Sequence, residues 1–176
     1  MKGMTPVQAG ASVGAVLAGA AAAAALYVNA EGWRTTPYKD PIGIWTDCAG
    51  VTDGVVPGKA RSDAECVSRT AGALAKHGAE IAPCLPTALP VKTRGAFTSM
   101  ASNVGAPKFC ASSIAASARA GDLKTACIRI NQKPDGSPQW VFVNLGTKAQ
   151  PIWLKLDGLV RRRAAERALC EEGLRS

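Results

Sequence analysis

Glu31-Gly-Trp-Arg-Thr-Thr-Pro-Tyr-Lys-Asp40-Pro-Ile-Gly-Ile-Trp-Thr46 places two carboxylates and a threonine hydroxyl on one short segment, with eight residues between Glu31 and Asp40 and five between Asp40 and Thr46. Pro37, the Asp40-Pro41 pair, Gly43, Ala49-Gly50 and Asp53-Gly54 punctuate a run of β-branched and aromatic residues, which predicts a small hairpin region over residues 31–53. Glu31 follows an apolar stretch and Asp40 sits in a polar turn, environments that push two carboxyl pKa values apart. Glycoside hydrolysis requires that division of labour, with one carboxyl protonated as the acid and the other ionised opposite it. The spacing by itself also suits a helix-end residue and a turn former.

Upstream, Lys2 is the only charged side chain before Glu31, so residues 4–30 are uncharged. A span of ~20 apolar residues can cross a bilayer, and a preceding Lys stays on the cytoplasmic side, which gives an N-in, C-out topology. The span is a weak one. Six consecutive alanines (Ala20 to Ala25) and several glycines dilute Val7, Val13, Val16, Leu17, Leu26 and Val28, so insertion should be marginal and reversible. Four readings fit: a signal peptide cut after Ala30, an ordinary anchor, an anchor able to leave the membrane, or an Ala-rich helix buried in a soluble body. Gly10-x-x-x-Gly14 and Ala15-x-x-x-Gly19 have the spacing of close helix packing, which also arises by chance in such a composition.

The 176 residues suffice for one compact domain. The formal charge is +8, of which +7 lies from Glu31 onward, and it favours an anionic partner: nucleic acid, a membrane surface or an acidic wall polymer. There is no phosphate-binding glycine loop and no interleaved aromatic-basic motif of a nucleic-acid module. Cys48, Cys66, Cys84, Cys110, Cys127 and Cys170 all follow the span, none in C-x-x-C spacing, and His77 is the only histidine. Disulfides in an oxidising compartment are therefore expected rather than a zinc site or haem attachment, although buried free thiols also fit. Ser62-Asp-Ala-Glu65 is a capping box that opens a helix ending at Pro83. Residues 93–101 and 112–120 read as short helices, and Asp122 caps another over 123–130. Lys133 to Pro138 is an exposed turn, and residues 141–153 are ambiguous between strand and helix. Residues 158–170 predict an amphipathic helix with Leu159, Ala165, Leu169 and Cys170 on one side and a basic face opposite.

The segment from Glu31 to Thr46 resembles the catalytic signature of phage-type lysozymes, glycoside hydrolase family 24: an E-G pair, a Y-x-D, a glycine and a threonine at matching spacing. Thr93-Arg-Gly-Ala-Phe97, Ser102-Asn-Val-Gly105, Phe109, Ala120-Gly-Asp122 and the stretch Gly158 to Glu166 resemble later blocks of that family in the same order, so that the likeness covers about 31–130 and 158–173. It implies an α+β, mainly α-helical, lysozyme-like fold, with a small β-hairpin lobe (about 31–60) and a larger helical lobe (61–176) in a catalytic domain of residues 31–176. The activity implied is hydrolysis of the β-1,4 bond between N-acetylmuramic acid and N-acetylglucosamine in peptidoglycan, with inversion. Glu31 would be the general acid, Asp40 the carboxylate that positions or activates water, and Thr46 a partner in holding that water. Arg162 aligns with an arginine near the acid and would pair with Glu31, or belong with Arg161 and Arg163 to a solvated face that touches anionic murein. Asn103 would line the cleft. No metal or cofactor is called for, and the family's fold implies the pairings Cys48–Cys66, Cys84–Cys110 and Cys127–Cys170.

The uncleaved Ala/Gly span resembles that of signal-arrest-release endolysins, which implies export to the host periplasm, tethering to the inner membrane through residues 4–30 (within segment 1–30), and release as a soluble monomer. A cut after Ala30 would make Glu31 the N-terminus and remove the helix that orients it, and no cysteine in the span is available for disulfide exchange. Refolding of the released helix onto the catalytic domain is the expectation. After Thr46 the chain departs from the family pattern, with Asp47-Cys-Ala-Gly-Val-Thr52 in place of a Gly/aromatic/His turn, and residues 131–157 match poorly. The alternatives are a membrane-tethered module that binds peptidoglycan without cleaving it, and a lytic transglycosylase that uses Glu31 alone.

Overall fold

The computed structural model describes residues 11–40 and 43–176, with the side chains of residues 25, 27 and 29–31 outside the description. Helix α1 (Val13–Glu31) starts at Ser12, whose hydroxyl accepts the Ala15 N–H, and stops at Gly32, where a φ of 72° turns the chain out of the helix. An antiparallel hairpin follows, β1 (Arg34–Lys39) and β2 (Trp45–Cys48), with Tyr38 opposite Thr46 and a register shift between Arg34 and Tyr38. Helix α2 (Asp63–Ile81) opens on the expected capping box: Ser62 accepts from the Glu65 N–H, and Glu65 accepts from the Ser62 N–H at 2.7 Å. A short 3-10 turn (Ala82–Cys84) leads to α3 (Val91–Val104), α4 (Ala106–Cys110), α5 (Ser113–Arg119) and α6 (Leu123–Ile128), the last two capped by Ser112 and Asp122. A second antiparallel hairpin, β3 (Phe142–Asn144) with β4 (Trp153–Lys155), precedes α7 (Asp157–Gly173).

Helix α3 is the axis of the molecule, buried from Thr93 to Ala101, with α1, α2 and α7 packed around it. The main core gathers Ile81, Phe97, Met100, Phe109, Ile114 and Ile130, and the Phe97 and Phe109 rings stand 5.7 Å apart. A smaller cluster joins Ala20 and Ala23 of α1 to Leu74 of α2 and Ala49 beyond β2. Two crossings are close enough to exclude a side chain. A Cβ on Gly173 of α7 would lie 2.5 Å from the Thr93 Oγ1, and one on Gly95 of α3 would lie 2.7 Å from the Ala22 Cβ and 3.0 Å from the Gly19 carbonyl. Three disulfides tie the elements together, Cys48–Cys66, Cys84–Cys110 and Cys127–Cys170, the pairing expected from the family's fold.

Three sequence expectations change. The stretch 141–153 forms a hairpin, its strands too short to impose a period. Helix α4 was not foreseen; Pro107 in its first turn suits a helix start, where no intrahelical donor is needed. Helix α7 turns only part of its basic residues outward, Arg161 and Arg167. Its buried side consists of Arg162, Arg163, Glu166, Cys170 and Gly173, whereas Ala165 is exposed. Charge enters this core because Glu166, spaced three and four residues from the two arginines, pairs with both on the helix itself and offsets one of their two charges. Among the described residues no helix is long and apolar enough to cross a membrane; residues 4–10 of the expected span lie outside the described residues.

Candidate active site

Glu31 is the last residue of α1, so its position depends on how α1 docks, while its side chain lies outside the description. The chain leaves the helix at Gly32, whose N–H donates to the Val28 carbonyl at 3.0 Å. Trp33 then donates its indole N–H to Asp63 at the start of α2, 2.7 Å away, which fixes the hairpin entry to the helical body. At the other end of β1, the Asp40 N–H donates to the Ile44 carbonyl at 2.9 Å, and the Asp40 Oδ1 accepts the Ile44 N–H at 2.8 Å. The Thr46 hydroxyl, buried on β2, donates to the same Ile44 carbonyl at 3.2 Å. Asp40 and Thr46 are thus held by the backbone of one residue, and with its hydroxyl donating to Ile44 the Thr46 oxygen can accept from a further partner.

Arg162 and Asn103 belong to one network between α3 and α7, buried at Arg162, Arg163 and Glu166 and reaching the surface at Asn103. Arg162 donates from Nε to Glu166 Oε1 at 3.1 Å and from its terminal nitrogen to the Ser99 carbonyl and the Ser102 hydroxyl at 3.2 and 3.4 Å. Arg163 meets the other Glu166 oxygen at 2.8 Å and donates to Asn103 Oδ1 at 2.5 Å, and Ser99 donates to Glu166 at 2.7 Å. Burial lowers the Arg163 pKa to about 10 against the opposing effect of Glu166, and the guanidinium remains charged at neutral pH. The solvated face considered for the arginine run is therefore corrected for Arg162 and Arg163, which are buried; Arg161 is exposed.

Sequence reasoning missed Asp47, the residue at which the family pattern breaks. It is fully buried, and its carboxylate takes Arg61 at 3.3 Å and Arg69 at 3.0 Å on separate oxygens. Its backbone exchanges two 2.9 Å hydrogen bonds with Val51, closing a tight turn in which Cys48 (φ 54°) is held by its disulfide to Cys66. No periodic signal announces it, because Thr46, Asp47 and Cys48 are all buried. This turn walls a concavity that continues over Thr52, Arg69, Lys76 and His77 to Ser102, the serine that accepts from Arg162.

This chain belongs to the phage lysozyme family, whose model matches residues 28–166. It is 31% identical to the SAR-endolysin of Bacteriophage PS119 over 95% of this chain and 96% of that one. It is 33% identical to the SAR-endolysin of Enterobacteria phage P21 over 80% of this chain and 76% of that one. The active form of the P1 phage endolysin Lyz superposes with a TM-score of 0.69 at 27% identity, covering 94% of this chain and 97% of that one. The mixed α/β, mainly helical, lysozyme-like fold expected from the sequence is the fold observed.

Proposed function

We propose that the protein is an endolysin that hydrolyses the β-1,4 bond between N-acetylmuramic acid and N-acetylglucosamine in peptidoglycan. The glycan would lie along the concavity lined by Val51, Thr52 and Ser102, one wall of which is the turn that Asp47 closes. Glu31 protonates the glycosidic oxygen, Asp40 orients and activates the attacking water, and the Thr46 oxygen accepts a hydrogen bond from that water. Arg162 would pair with Glu31, as the resemblance implies, and Asn103, whose Oδ1 accepts from Arg163, would line the cleft. The observation that carries this reading is the attachment of Asp40 and Thr46 to the backbone N–H and carbonyl of the one residue Ile44, in the hairpin that follows the helix ending in Glu31. It gives the two groups a fixed relation that neither side chain has alone.

The chain acts in the periplasm of a bacterial host as a monomer. Residues 4–30 first hold it N-in, C-out at the inner membrane, and residues 31–176 become the active domain once that segment leaves lipid and docks as α1. The names of its relatives support this, as does the continuity of α1 through Glu31, which a cut after Ala30 would destroy.

Expression of the full chain in a Gram-negative host, followed by collapse of the membrane potential, tests both parts. Lysis with a full-length soluble protein is expected, with lysis lost in Glu31→Gln and in Asp40→Asn. Anhydro-muropeptides and indifference to Asp40→Asn would replace hydrolysis with transglycosylation. Murein binding without any bond cleavage would leave the tethered binding module, and a mass beginning at Glu31 would remove the release step.

A further inference from the structure

The β3–β4 ribbon exposes more large apolar surface than any neighbouring segment, and the activity proposed above does not use it. Phe142 is 41% exposed, Leu145 60%, Ile152 63%, Trp153 64% and Leu154 46%. The register sets Phe142 opposite Lys155 and Asn144 opposite Trp153, while Val143 faces Leu154 and the Leu145 N–H donates to the Ile152 carbonyl. One face therefore carries Val143, Leu145, Ile152 and Leu154 without a polar side chain, and the other carries Phe142 and Trp153 beside Asn144 and Lys155. The ribbon is rooted at buried Val141, whose carbonyl accepts the Leu156 N–H, and beyond that root its strands pack chiefly on each other. An isolated two-stranded hairpin is marginal in water, and contiguous apolar patches on a soluble surface mark interaction sites.

We infer that this ribbon docks on an anionic phospholipid bilayer. Two features choose that occupant. Apolar side chains stand on both faces, whereas a glycan or a protein groove would cover one; immersion at the headgroup and acyl boundary surrounds both. The charge is of one sign: between Asp135 and Asp157 there is no acidic residue, and Lys148 at the tip and Lys155 near the root are placed for lipid phosphates. Trp153 beside Lys155 repeats the aromatic and basic pairing found at membrane interfaces. The ribbon would keep a released enzyme at the membrane face independently of α1 and of catalysis.

The test uses the full-length purified chain and vesicles of phosphatidylglycerol with phosphatidylethanolamine, compared with neutral phosphatidylcholine. The wild type is expected to float with the anionic vesicles, and lipids brominated on the acyl chain should quench a tryptophan component that disappears in Trp153→Phe. The double variant Leu145→Ser/Ile152→Ser should bind about tenfold or more weakly while keeping its melting temperature and its rate on soluble murein fragments. Unchanged vesicle binding by the double variant would overturn the inference and leave attachment to α1. So would equal binding to neutral vesicles, or a loss confined to insoluble murein. A chain inactive on murein that still binds vesicles through the ribbon would sink the proposed activity and leave this inference standing.

Discussion

Substitution of Gly95 by alanine separates helix propensity from helix docking, because the two act in opposite directions. In an isolated helix the change is favourable by ~1 kcal/mol. Here the added Cβ would lie 2.7 Å from the Ala22 Cβ, 3.0 Å from the Gly19 carbonyl and 3.1 Å from the Ala23 nitrogen, and two of those three atoms are backbone that cannot rotate aside. Docking of α1 buries Val16, Ala20 and Ala23, worth at most ~4 kcal/mol at ~0.8 kcal/mol per buried carbon. Overpacking at a helix contact costs ~1–3 kcal/mol, which lowers the ratio of docked to undocked α1 by about 5-fold to 150-fold. Amide hydrogen exchange reads that ratio directly: protection over residues 16–28 should fall by that factor, while the amides of 97–109 hold theirs. Murein hydrolysis should fall with it, since Glu31 ends the same helix. Gly14→Ala, where a Cβ would meet nothing within 4 Å, is the control and should leave α1 protected. Gly19→Ala should be milder than Gly95→Ala, because its new Cβ meets the flexible stem of Arg94 rather than backbone. Unchanged or increased protection in Gly95→Ala would refute the reasoning and show that propensity outweighs the contact.

Asp47→Asn leaves Arg61 and Arg69 facing each other without their shared carboxylate; because both arginines reach solvent, the loss should be about 3 kcal/mol, read as a fall of about 6–12 °C in Tm. Activity on soluble murein should drop as well, since the turn that Asp47 closes walls the groove. Replacing Cys127 and Cys170 with serine opens a loop of sequence separation 43 and should cost about 4 kcal/mol by chain entropy, measured by chemical denaturation under oxidising conditions.

Local chemistry made much of the fold legible. Ser62 with Glu65, Ser112 and Asp122 announced three helix starts because a cap is a contact within one turn. The first hairpin was visible in its turn formers, and Asp40 and Thr46 lie on it at the spacing the sequence records. What stayed hidden depends on partners distant in the chain. The charged side of α7 reads as a surface until Ser99 and Asn103, 67 and 60 residues from their partners, are seen to satisfy it. The clamp on Asp47 likewise needs Arg61 and Arg69 from beyond the turn. The disulfide pairing came from the family's fold; six cysteines alone permit fifteen arrangements.

The composition of α1 itself argues for two environments. In its docked position Val16, Ala20 and Ala23 face the body, and that side tolerates only small residues where it meets Gly95. The opposite side is not polar, as the outer face of a helix in a soluble protein ordinarily is. Val13 is 76% exposed and Leu17 54%, and from Val13 to Glu31 the only polar or charged side chains are those of Tyr27, Asn29 and Glu31 at the end. Nothing in docking calls for an apolar exterior, whereas a bilayer does, and each Val or Leu there adds roughly 0.3–0.6 kcal/mol to insertion. On the proposed membrane tethering, the two roles of α1 separate by face. Val13→Ser/Leu17→Ser should leave α1 protection and murein hydrolysis at wild-type levels in the purified chain, yet shorten the time the exported protein stays with the inner-membrane fraction before lysis. If membrane retention is unchanged while hydrolysis falls, the outer face belongs to docking, and the two-environment reading of α1 fails.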